Sequence, residues 1–122
     1  MRIVDRKTFL SLPAGTIFAK FAAQRPGYVD YMHGEVVIKG ETVADDFVVQ
    51  DLFPWFDECS DTDMWMAATD QALLGVETPP MDYESDNRDA LFDEAQLFAV
   101  WSKEDAERLV ARLQKALVDG YS

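Results

Sequence analysis

Apolar positions recur with two periods along this chain, and the change of period marks its elements. Thr16 to Ala22, rich in aromatic and β-branched residues, predicts a strand that Arg25-Pro26-Gly27 breaks. Tyr28 to Met32 and Glu35 to Lys39 predict a hairpin around His33-Gly34, with the glycine supplying a positive φ. Gly40 marks a bulge or turn, and Asp46 to Gln50 predicts a further strand. Pro54 interrupts the Leu52–Phe56 cluster and turns it into loop or edge. Ala95 to Trp101 is apolar on both faces apart from Gln96, the pattern of a central strand.

Helical spacing takes over elsewhere. Asp5 is placed to cap a short element through Ser11, which Pro13 and Gly15 stop. Ser60-Asp61-Thr62-Asp63 resembles a capping box and opens a helix running to about Leu74, with Gly75 as its stop. The clearest helix follows Ser102-Lys103-Glu104-Asp105. Its residues Ala106, Leu109, Val110, Leu113 and Leu117 form one apolar stripe, and Gly120 closes it. Val76 to Ala90 reads as a long polar connection, a length that in small domains often serves function. Together these elements predict an α+β fold. Its mainly antiparallel sheet of about four to five strands is packed by the C-terminal helix and a second, central helix.

A chain of 122 residues fits one domain spanning 1–122, large enough to bury about two-thirds of its unfolded surface. With 48% hydrophobic residues it is too apolar to be disordered. The lone Cys59 cannot form an internal disulfide. That fits a reducing compartment, and with no signal-type hydrophobic region at the N-terminus the expected location is the cytoplasm.

Charge changes the picture most. Between Gly40 and Asn87 there is no Lys, Arg or His, yet there are thirteen carboxylates. From Glu41 to Trp101 sixteen acids face Arg88 alone, while the rest of the chain sums to +3. The net charge of −12 is therefore held by one contiguous stretch. Such a balance excludes direct nucleic-acid binding and adhesion to anionic membranes, both of which need clustered cations. It suits a partner with a basic surface.

Catalytic chemistry finds little support. His33 is the only histidine, and Cys59 lies among Asp57, Glu58 and Asp61, whose charges oppose the thiolate a nucleophile needs. No glycine-rich phosphate loop, Cys/His cluster or nucleophile elbow occurs, so no cofactor is expected and the chain is read as a non-enzyme. Asp82, Glu84 and Asp86 alternate like oxygen ligands. Asn87, Asp89 and Asp93 nevertheless stand where an EF-hand needs Gly, an apolar residue and Glu.

The acidic block also carries aromatic and sulfur side chains. Met64, Trp65 and Met66 are consecutive on a helix and cannot all share one buried stripe, so at least one must approach the surface. An apolar anchor ringed by charge is how protein-binding patches are commonly built. The residues expected to contact a partner are Trp55 with Asp57, Glu58, Asp61 and Asp63, and Asp82, Glu84, Asp86 and Asp89 on the long connection.

Leu12-Pro13-Ala14-Gly15-Thr16-Ile17-Phe18, Ile38-Lys39-Gly40-Glu41, Phe92 to Val100 and the closing helix resemble small uncharacterised acidic proteins of tailed phages and prophages. The resemblance implies a genomic setting in which compact acidic proteins occupy basic surfaces of host defence nucleases, as anti-CRISPR and anti-restriction proteins do. It assigns no functional residue. The expected function is binding and inhibition of a basic, nucleic-acid-binding complex, with nucleic-acid mimicry as one form. The alternatives are a structural or accessory homodimer joined through its aromatics, and a metal-dependent hydrolase built on Asp82, Glu84 and Asp86.

Overall fold

The computed structural model describes residues 1–121. Nine elements follow in chain order: β1 (Arg2–Val4), α1 (Arg6–Leu10), β2 (Ile17–Phe21), β3 (His33–Val43), β4 (Asp46–Asp51), α2 (Thr62–Leu73), β5 (Asn87–Arg88), β6 (Leu97–Val100) and α3 (Lys103–Gly120). The strands form one sheet in the order β1-β6-β2-β3-β4-β5, antiparallel at every pairing. The class is α+β. Six strands are present rather than four to five, because β1 and the two-residue β5 add edges too short to show a period in sequence.

Register sorts the side chains between the two faces. Phe18 lies opposite Val37 on one side and Val100 on the other, and Val4 lies opposite Phe98. These residues share a face; Phe18, Val37, Phe98 and Val100 form the buried core with Phe9 and Phe47, and the partly buried Val4 packs against it. Phe9 stacks on Phe98 with ring centres 3.9 Å apart and meets Phe18 at 4.6 Å. A five-residue helix has no stability of its own in water. Asp5 holds the first turn of α1 by accepting from the Thr8 N–H at 2.8 Å, and burial of Phe9 does the rest.

The core is thus closed by α1, a correction to the expected packing by α2 and α3, neither of which buries a residue. Amphipathic spacing correctly announced α3 but could not say what its stripe would meet. Its start is as expected: Ser102 and Asp105 form a reciprocal capping box. For α2 the cap is Asp61, which accepts from the Met64 N–H at 2.8 Å, and Gly75 ends the helix region at φ +93°.

The expected hairpin at His33-Gly34 is absent. β3 begins at His33 and pairs directly with β2, while Tyr28 to Met32 lie outside the sheet with largely exposed side chains. The bulge expected at Gly40 is present, where the β3–β4 register shifts between Lys39 and Thr42. No helix among the described residues is long and apolar enough to cross a membrane.

Candidate acidic interface

The loop after β4 and the long connection after α2 are brought together by a short antiparallel bridge between Phe56 and Met81. The Asp57 N–H donates to Pro80 O at 2.6 Å, and the Asp82 N–H donates to Trp55 O at 2.9 Å. Phe56 is buried beneath this bridge and stacks against Trp65 of α2, with ring centres 6.1 Å apart. Two carboxylate groups separated by about 25 residues in sequence therefore meet on one apolar support.

A cleft of about 260 Å³ opens there, lined among others by Asp51, Trp55, Glu58, Cys59, Asp82 and Asn87. Trp55 stays 43% exposed at its edge. Glu58 holds φ +65°, a left-handed conformation uncommon for a residue with a Cβ, so its backbone direction is fixed by its surroundings. Asp82 accepts from the Glu84 N–H at 3.0 Å, which ties down the turn carrying Glu84. Asp61 serves as the α2 cap while Asp63 lies in its first turn, where negative charge suits the helix dipole. Met64 and Met66 are exposed and Trp65 is partly covered, in line with the adjacency argument.

No family model, curated protein or solved structure matches this chain.

Asp57, Glu58, Asp61, Asp63, Asp82, Glu84 and Asp86 take part in none of the ion pairs among the described residues. Asp89 is the exception and a correction. Its side chain is only 6% exposed, bonded by Lys20 at 2.6 Å and approached by Arg6 at 4.0 Å, so it cannot meet a partner. Strand β2 and helix α1 supply those cations from far away in sequence, which is why the local acidic pattern around Asp89 misled. Asp46 is likewise withdrawn. It is buried, accepting from Arg88 Nε at 2.8 Å and from the Ala90 N–H at 3.1 Å.

Sequence reasoning missed Asp51, Ser85 and Asn87, which line the cleft. Asp51 ends β4, and only the strand register shows that it lies on the same side as Val37. Among the described residues no three His, Cys, Asp or Glu side chains gather as the ligands of a metal ion would. His33 makes its contact with the neighbouring Gly34 O at 2.9 Å, at the start of β3 rather than in a turn.

Proposed function

We propose that this protein acts by binding, setting its acidic ledge against a Lys/Arg-lined surface of a nucleic-acid-binding protein and blocking that surface. One observation carries the reading. Glu58 and Asp82 line one cleft with the exposed Trp55, on two loops fastened to each other by backbone hydrogen bonds, and neither they nor the neighbouring Asp57, Asp61, Asp63, Glu84 and Asp86 are taken up by ion pairs among the described residues. Carboxylates held on a firm support receive Arg in charge-assisted, often bidentate bonds without a large ordering cost. Trp55 supplies an apolar anchor of the kind that dominates binding energy. The excess negative charge speeds encounter with a cationic partner. The finer proposal, that the partner is a host defence nuclease, is supported by the resemblance to phage and prophage proteins.

The test is capture of nucleic-acid-binding host proteins at two ionic strengths, followed by competition with duplex DNA on whatever is captured. Affinity is expected to fall at least about tenfold between 0.05 and 0.5 M salt, as screening shortens the reach of the charges. The combined substitutions Glu58→Lys, Asp82→Lys and Glu84→Lys should abolish capture while Asp89→Asn leaves it intact in folded protein. Capture that ignores salt, survives the triple reversal or proceeds alongside bound DNA would refute the proposal.

A further inference from the structure

The stripe of α3 lies open. No α3 residue is buried; Ala106 and Leu109 are half-buried, and Val110, Leu113 and Leu117 are 49%, 58% and 64% exposed. A helix that keeps a clean apolar stripe over about three turns normally buries it. The sheet face opposite the core is incompletely covered as well. Ile3, Ile17, Phe21, Val36, Ile38 and Leu97 share that face by register around the buried Ala19 and Ala99; Ile3 is exposed and the other five are only half-buried.

The total surface says how much cover is missing. The chain exposes 8889 Å². A folded monomer of 13.8 kDa ordinarily exposes about 6,600 Å². The surplus, about 2,300 Å², is of the size one subunit contributes to a large homodimer interface.

Charge selects the occupant. Helix α3 balances Lys103, Arg108, Arg112 and Lys115 against Glu104, Asp105, Glu107 and Asp119, so it is neutral in a chain of net charge −12. A cationic protein would be drawn to the acidic block instead, and an anionic membrane would repel the chain. A second copy fits. An apolar stripe on a neutral helix is complementary to itself, which is what a two-fold contact requires. It lets two strongly acidic molecules meet without setting acidic excess against acidic excess.

We infer that the protein is a two-fold homodimer whose α3 helices pack stripe to stripe, with Leu113 near the axis. The inference is independent of the acidic ledge, which lies in a different part of the sequence. Sedimentation equilibrium at 5–100 µM should give twice the 13.8 kDa chain mass, unchanged at 1 M NaCl because the contact is apolar. Leu113→Glu with Leu117→Glu should weaken association at least about 100-fold, with the far-ultraviolet circular dichroism retained because neither side chain is buried. Cross-linking keeps the question open to test should that variant misfold. In a Cys59→Ser background, Leu113→Cys should form a disulfide-linked dimer under oxidised glutathione, while Lys115→Cys on the opposite side of the helix should not. A monomer at 100 µM, a dimer indifferent to the double substitution, equal cross-linking at both positions, or a monomer that binds lipid vesicles would each overturn the inference.

Discussion

Lys20 Nζ donates to Asp89 Oδ1 at 2.6 Å, fastening the segment after β5 to strand β2 across 69 residues of chain. Arg6 of α1 stands 4.0 Å from the other carboxylate oxygen. The triad ties together three parts of the fold that share few other contacts. Removing the acid leaves Arg6, itself buried, without its counter-charge. Asp89→Ala is expected to lower the unfolding free energy by about 3 kcal/mol, read from urea denaturation. A loss below about 0.5 kcal/mol would show that water compensates the two cations.

Asp46 links stability to acid. Burial raises its carboxyl pKa, but the N–H groups of Phe47 and Ala90 and the Arg88 guanidinium outweigh that and hold it below the ordinary value. The folded value lies below the unfolded one, so the stabilisation is complete above the ordinary carboxylate range. It disappears as pH falls through the folded value. Wild type should therefore be more stable than Asp46→Asn at pH 7, with the difference shrinking below about pH 4. Urea midpoints across that range check the sign, and a difference independent of pH would contradict it.

Lys39 gives the opposite dependence. Its side chain is buried, its Nζ donating to Thr42 Oγ1 at 2.8 Å and Gly40 O at 3.1 Å and lying 5.7 Å from the centre of the Phe9 ring. Burial lowers its pKa. The unfolded chain then holds the proton to higher pH than the folded one, so stability rises as pH climbs from the folded value towards the ordinary lysine value. Lys39→Met, close in volume and uncharged, is expected to gain about 1 kcal/mol at pH 7. That gain should narrow by pH 10, and chemical denaturation at the two pH values reads it directly.

Gly40 admits Val48 where β3 and β4 cross the bulge. A Cβ at residue 40 would lie 2.9 Å from both Val48 Cβ and Val48 Cγ1, closer than such atoms approach. Gly40→Ala should cost about 2 kcal/mol in unfolding free energy. Gly40→Ala with Val48→Ala should recover part of it, because the second change removes the Cγ1 contact. Thermal denaturation of the pair measures the coupling.

Sequence patterns served best where the cause is local. Capping by Asp5 and Ser102, the run of β6 and the bulge at Gly40 depend on side chains within a few residues, and each was legible. The hairpin at His33-Gly34 failed because Tyr28 to Met32 have strand-forming residues but no strand to pair with; β2 pairs with the first half of β3, from His33 to Ile38, instead. Asp89 was misassigned because nothing near it in sequence announces Lys20 or Arg6. The meeting of Trp55 and Glu58 with Asp82 was equally invisible, since it depends on the bridge at Phe56 and Met81.

The amino-acid order alone determined most of the longer elements, the antiparallel α+β class and the concentration of negative charge, because helix and strand periods and charge counts are properties of neighbouring residues. The tertiary structure decided which acids are internal and which face outward, that the small helix α1 rather than α3 closes the core, and that the α3 stripe is left open. These are outcomes of long-range pairing, where burial and a distant counter-charge set the fate of a side chain and no local pattern carries that information.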